Sequence, residues 1–304
     1  MKKIFLLGPI FCIFLSCSEQ YELDLNLELG KDYIQETNLN GHINQTIDGQ
    51  EIEFKMEING KMNYHVAGVN EDDFDLNVSY KDLNMSMKFP SGDINYSSNS
   101  PSQEDIFSAL LSEMIGKSFD VKISKKGKII SVSHLDEMFN SLFKVFPEID
   151  PYTAQQIKLQ LMDSYGEKAF RGNIEMVASI FPNKAVALGD SWEIKTTMES
   201  SVKANVISQY TLEEVNDDYY IIRGLSKIDS PENSKLENQG VEMDFTLNGK
   251  MESKLKVDRK SGWILDGEIE QDINGRAKMP ASQEFPEGLE YPISMINKMK
   301  VIGE

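Results

Sequence analysis

From Tyr21 to Leu29 the chain alternates apolar and polar residues without a break, Tyr-Glu-Leu-Asp-Leu-Asn-Leu-Glu-Leu. A period of two marks an extended segment with one buried face and one wet face, so this stretch is expected as a half-buried strand ending at Gly30. The same period recurs in Phe74-Leu76-Val78-Tyr80, in Leu83-Met85-Met87-Phe89, in Val202-Ala204-Val206, and over Ile293 to Ile302. Phe54, Met56 and Ile58 are followed by Met62, Tyr64 and Val66, with Asn59-Gly60 between them. A three-residue hairpin loop, Ile58 to Gly60, keeps both apolar sets on one face, with Gly60 left-handed. Residues 91–101 read as a polar loop. Lys125-Lys126-Gly127 and Ser261-Gly262 read as hairpin turns.

Two stretches break this rhythm. Ile106, Ala109, Leu110 and Met114 recur at helical spacing, which predicts a helix over 102–116 that starts at Ser102 and stops at Gly116. Over 134–181 helical spacing returns in Leu135, Met138, Phe139 and Leu142, then Ile157 and Leu161, then Phe170, Ile174 and Val177. The pattern predicts an α+β, mainly β fold. A large curved antiparallel sheet packs against a few helices. The expected divisions are a signal peptide 1–16, a lipid-anchored tether 17–20, a first β-rich part 21–133, a helical segment 134–181 and a second β-rich part 182–304.

The start of the chain is an address. Lys2 and Lys3 precede a twelve-residue apolar run, Ile4 to Leu15, which is shorter than the roughly 20 residues that span a bilayer. The run ends in Phe14-Leu15-Ser16-Cys17 and resembles a bacterial lipobox, in which the cysteine becomes acylated and N-terminal after cleavage. Phe14 stands where the pattern prefers Leu or Val. The two cysteines are Cys12 and Cys17, so the body of the chain holds no disulfide and no thiolate nucleophile. Loss of Lys2 and Lys3 takes the formal charge from −18 to −20. So acidic a chain repels nucleic acid. The expectation is a lipid-anchored protein of the cell envelope, held to the outer membrane on its periplasmic or surface face.

Two parts of the chain look alike. Leu29-Gly30-Lys31-Asp32-Tyr33 matches Leu188-Gly189-Asp190-Ser191-Trp192, and Val69-Asn70-Glu71-Asp72-Asp73-Phe74 matches Val215-Asn216-Asp217-Asp218-Tyr219. Ile123 to Ile129 matches Val257 to Trp263 with one insertion, and the three matches keep their order. Two related halves are therefore expected, joined edge to edge. Leu29 to Tyr33, the hairpin 119–132 and the run Pro182 to Trp192 also resemble a family of Bacteroidota lipoproteins known only as a domain of unknown function. That resemblance implies a fold and an address and brings no activity. The architecture further resembles periplasmic lipoprotein carriers, which hold acyl chains.

No catalytic constellation emerges. Gly189-Asp190-Ser191 has the form of a hydrolase motif, yet no histidine follows His134, so a turn anchored by Trp192 is expected. His42, His65 and His134 lack metal-ligand spacing, and Glu71, Asp72, Asp73 and Asp75 lack the order of a calcium loop. No metal and no cofactor is expected. Met56, Met62, Met85, Met87, Met243 and Met251 fall in predicted strands, and methionine lines adaptable apolar cavities. These six are the candidate lining for an apolar ligand such as an acyl chain, with an envelope protein as the other expected partner. A structural subunit of an outer-membrane complex is one alternative reading. A secreted glycan hydrolase working through carboxylates is another.

Overall fold

The computed structural model describes residues 19–47, 49–100, 105–146, 149–199, 203–231, 234–238, 241–281 and 286–304. The lipobox and Cys17 lie outside them. Along the first half run β1 (Gln20–Tyr21), β2 (Asp32–Ile47), β3 (Gln50–Val69), β4 (Asp73–Phe89), β5 (Gly92–Ser97), α1 (Ile106–Met114), β6 (Ser118–Ser124) and β7 (Ile129–Ser133). Three helices follow, α2 (Leu135–Leu142), α3 (Pro151–Tyr165) and α4 (Glu167–Ala178). The second half runs β8 (Val186–Ala187), β9 (Ser191–Glu199), β10 (Lys203–Val215), β11 (Tyr219–Asp229), β12 (Ser234–Asn238), β13 (Val241–Asp258), β14 (Ile264–Met279) and β15 (Leu289–Gly303). Thirteen strands form one open antiparallel sheet in the order β7-β6-β4-β3-β2-β15-β14-β13-β11-β10-β9, with β5 on β4 and β12 on β13. The expected fold class holds.

The sheet curls. At about 4.8 Å per strand, eleven strands laid flat would hold their edges almost 50 Å apart. Yet α4 touches both edge strands, β7 and β9. Glu175 and Arg171 of α4 hold the backbone of Ile129 in β7, while Trp192 of β9 donates its indole N–H to the carbonyl of Ile180 at 2.8 Å. The helix therefore sits inside the curl and bridges the gap.

The duplication is visible bond by bond. The N–H of Gly30 reaches the carbonyl of Val66, and that of Gly189 reaches Leu212; Asn70 bonds Asp73 as Asn216 bonds Tyr219. Lys125 bonds Asp72 as Arg259 bonds Asp218. Even the strand irregularities match, at Val66/Gly68 and Leu212/Glu214, and at Lys122/Ile123 and Lys256/Val257. Each half is a meander of five strands, and β15 joins β14 to β2. At the opposite junction no strand among the described residues fills the corresponding place, and α4 stands there instead.

Several expectations need correction. The three-residue loop at Ile58–Gly60 does not exist: β3 runs straight through Asn59-Gly60, and the turn to β2 falls near Gly49, which is left-handed. Residues 54, 56, 58, 62, 64 and 66 share one parity, so an unbroken strand satisfies the apolar pattern as well as a loop does. Phe74–Tyr80 and Leu83–Phe89 are one strand. Lys61 pairs Asp82 while Met62 pairs Tyr80, and the extra residue switches the inward parity from even to odd. The polar stretch 91–101 contains β5, paired to β4. Helix 102–116 is α1, Ile106–Met114, capped by Asp105, whose carboxylate accepts the N–H of Ser108 at 3.1 Å; Ser102 lies outside the described residues.

The segment 21–29 is extended, but only Gln20 and Tyr21 enter a ladder, with Ala187 and Val186. The rest forms a strap across one end of the curled sheet. Its alternation survives: Leu23, Leu25 and Leu27 are buried, and Leu29 is out. Its backbone bonds go to turns rather than to a neighbouring strand. The N–H of Leu25 reaches the carbonyl of Lys125 at 2.8 Å, and that of Asn26 reaches Ser261 at 2.7 Å. Consecutive residues thus bind equivalent hairpin turns of the two halves. Those turns come so close that a Cβ on Gly127 or Gly262 would collide with the carbonyl of Ala178 or Asp24. One end of the sheet is closed by this strap. The other end carries the β2–β3 turn at Gly49 and the β4–β5 turn at Pro90 and Ser91.

Candidate functional site

Alternation along each strand puts apolar side chains on the inner face, toward the helices, and polar ones outside. At the closed end the interior is packed. Leu25, Leu27, Tyr64, Leu76, Ile123, Phe181 and Trp263 surround a cavity of about 30 Å³. That is room for a water molecule and far too little for an acyl chain. Burial pushes the hydroxyls of Tyr64 and Tyr80 well above their ordinary range, and that of Tyr165 up to about 12.

Midway along the strands the register lines up one row of inner-face residues, Ser208, Ser226, Met251, Gln271, Asn297, Gly41, Met56 and Met87. Its two ends differ. In the second half the row is mostly polar, and its polar groups are paired with one another or with methionine sulfurs. The hydroxyls of Ser208 and Ser226 are 2.7 Å apart, and Asn297 donates to Gln271 Oε1 at 3.0 Å. Gln271 Nε2 lies 3.2 Å from the sulfur of Met176 on α4 and 3.5 Å from that of Met251. Two residues along β13 from Met251, Ser253 Oγ is buried with no hydrogen-bond partner among the described residues. In the first half the row is apolar. Met56 and Met87 are half-buried, as are Leu39, Ile58 and Met85 on the row to one side and Ile43 and Phe54 on the row to the other. Phe54 packs on Phe89 with ring centres 5.8 Å apart.

The six candidate methionines therefore separate. Met56, Met85 and Met87 meet on β3 and β4. Met251 occupies the same row four strands away. Met62 sits toward the closed end, where the Tyr64 hydroxyl reaches its sulfur at 3.5 Å. Met243 is buried on β13 beside β12. Sequence reasoning missed Ser208, Ser226, Ser253, Gln271 and Asn297. Their signal was there: each is a polar residue at an inward position of an alternating run, as Gln271 is between Ile269 and Ile273.

The chemistry-bearing motifs scatter. Ser191 Oγ lies 2.7 Å from Thr211 Oγ1, and Asp190 accepts the N–H of Ala187 at 2.9 Å, so the Gly-Asp-Ser stretch is a turn. Each histidine pairs with a carboxylate: His42 with Glu53 at 2.9 Å, His65 with Asp32 at 3.0 Å and His134 with Asp120 at 2.8 Å. Asp73 and Asp75 share Lys122 at 3.1 and 2.6 Å. Among the described residues no group of three or more His, Cys, Asp or Glu could hold a metal ion, and no helix is long and apolar enough to cross a membrane. On the outer face a broad trough of about 800 Å³ runs over β9 to β14, with Ile207 and Leu225 exposed among Glu193, Lys227, Asp229 and Lys250.

Fold and site define a duplicated, open-sheet β protein with an apolar inner face. The family model that describes a family of unknown function, DUF6263, matches residues 71–264, and the chain belongs to that family. No curated protein matches it. Among solved structures it is similar to lipovitellin, described for its lipid–protein interactions, with a TM-score of 0.48 and 10% identity over 92% of this chain. The chain spans only 25% of that one. An outer membrane channel from Pseudomonas putida F1 gives a TM-score of 0.22 at 5% identity, over 92% of this chain and 97% of the channel. Salmonella typhi OmpF, in complex with daunomycin, gives 0.20 at 8% identity, over 91% and 99%. All three scores are low.

Proposed function

We propose that this chain is a lipid-anchored protein of the cell envelope that binds an apolar ligand, of acyl-chain type, on the inner face of its sheet. Acylated Cys17 is the anchor, and the address is the outer membrane. The observation that supports the reading is the half-buried apolar surface of Leu39, Ile43, Phe54, Met56, Ile58, Met85 and Met87. A filled core would bury these side chains as completely as it buries Leu110, Phe119 and Val257. Thioether side chains suit a ligand of variable shape.

The test is native mass spectrometry of residues 18–304 recovered from a bacterial periplasm. Extra mass that is lost on denaturation and identified as lipid supports the reading, and Met56→Glu together with Ile58→Glu should abolish it. An apo mass that stays clean on incubation with fatty acid or phospholipid overturns it. A second reading, a partner-protein surface, is favoured by the exposed Ile207 and Leu225 in the outer trough. It predicts a stoichiometric partner that is lost on Ile207→Glu and kept on Met56→Glu.

A further inference from the structure

We propose that the strap-covered, closed end of the sheet is a membrane-facing surface, which rests on a phospholipid bilayer with Leu29 and Leu188 at the lipid interface and the far end pointing away. This rests on the acylation of Cys17 proposed above, and it adds an orientation and a contact surface.

The first argument is the length of chain between anchor and body. Gln20 and Tyr21 are fixed by pairing to Ala187 and Val186 at the closed end. Only Ser18 and Glu19 separate Cys17 from Gln20. Three Cα-to-Cα steps span about 11 Å when fully extended. A cysteine whose acyl chains are in the bilayer therefore holds β1 and β8 against the membrane surface.

The second argument is what that end presents. Leu29 is 67% exposed and Leu188 is 59% exposed. A single exposed leucine needs no explanation. These two occupy equivalent positions in the duplicated halves, each just before a left-handed glycine, Gly30 or Gly189, at a projecting turn with open space around it. Leu188 directly follows Ala187, the partner of Gln20, and Leu29 stands at the other end of the strap. The end is thus tipped by a leucine at each side. Val69, on the β3–β4 turn of the same end, is also exposed. Lys31 and Lys184 are exposed close by in the chain. Apolar tips beside cationic side chains suit the interface between headgroups and acyl chains.

The experiment uses the full acylated chain in vesicles of phosphatidylethanolamine and phosphatidylglycerol containing brominated lipid. Cys12 leaves with the signal peptide and Cys17 is acylated, so one introduced cysteine is the sole free thiol. Leu29→Cys, Leu188→Cys and Asp93→Cys, the last on β5 at the far end, are each labelled with an environment-sensitive fluorophore. Emission should shift to the blue and be quenched several-fold by brominated lipid at positions 29 and 188, and stay unchanged at 93. Protein that floats with the vesicles but is quenched at 93, or at none of the three, overturns the orientation and leaves the anchor standing. Protein that does not float overturns the anchored reading and this one with it.

Discussion

Glu175 Oε1 accepts the backbone N–H of Ile129 at 2.9 Å, so a helix side chain takes the place of a neighbouring strand at the edge of the sheet. Arg171, paired with Glu167 at 3.0 Å, donates to the carbonyl of the same residue. Both ladder groups of Ile129 are thereby occupied, and an edge that would otherwise template pairing with another chain is blunted. Glu175→Ala leaves a buried N–H without a partner and should cost about 1–3 kcal/mol. Urea unfolding should show a lower midpoint with an unchanged slope. A midpoint equal to wild type would mean that α4 does not hold this edge.

Gly127 and Gly262 should be far less tolerant than Gly30 and Gly189. All four have positive φ, which alone costs an alanine roughly 1 kcal/mol. Only at Gly127 and Gly262 would the new Cβ also meet backbone, the carbonyls of Ala178 and Asp24. Thermal melts of the four alanine variants should fall into two groups, with Gly127→Ala and Gly262→Ala well below the others. A single group would remove the close approach of the strap and α4 to these turns.

Along the strap, burial alternates and stability should alternate with it. Leu25→Ala, at a buried position, should cost about 2–5 kcal/mol. Leu29→Ala, at an exposed one, should stay within about 0.5 kcal/mol of wild type in solution. Equal losses would place the two leucines in the same environment.

Acid should weaken the protein partly through one lysine. Asn70 and then Lys122 hold the Asp73 carboxyl below its ordinary value, and Lys122 and then Asn70 do the same for Asp75. A depressed folded-state pKa gives stability that is whole above the unfolded value, near 3.8, and lost as pH falls through the folded one. The same contacts, Asp75 first, raise Lys122, whose share is whole below its ordinary 10.5 and lost as pH rises past the folded value. Lys122→Met should therefore flatten the loss of stability as pH falls below about 4. Denaturant midpoints measured across that range check it, and parallel curves for variant and wild type would refute it.

The strands and their inward faces were legible because alternation is a local signal, and the three helices of 134–181 because helical spacing is another. The duplication was legible because its turns reuse the same residues at the same bonds, Asn70 with Asn216 and Gly127 with Gly262. Asn59-Gly60 misled because the pair favours turns, while here the flanking apolar alternation carries β3 straight through it. Glu175 could not be read at all. Its partner is 46 positions away on an edge that only the curl of the sheet brings within reach. Each member of the polar row is a visible exception in its own strand, but that the exceptions form one row depends on the register. Ser208, Gln271 and Asn297 become a band only when the register aligns them.

The head-to-tail repetition with one joining strand also fixes where this molecule can breathe. Between any other neighbours along the sheet, separation breaks a whole ladder of backbone bonds. Between β7 and β9 no ladder is found among the described residues, and the side-chain grips of Glu175, Arg171 and Trp192 hold α4 across the gap. That line is a seam, and the width of the interior is set by how firmly one short helix buttons it.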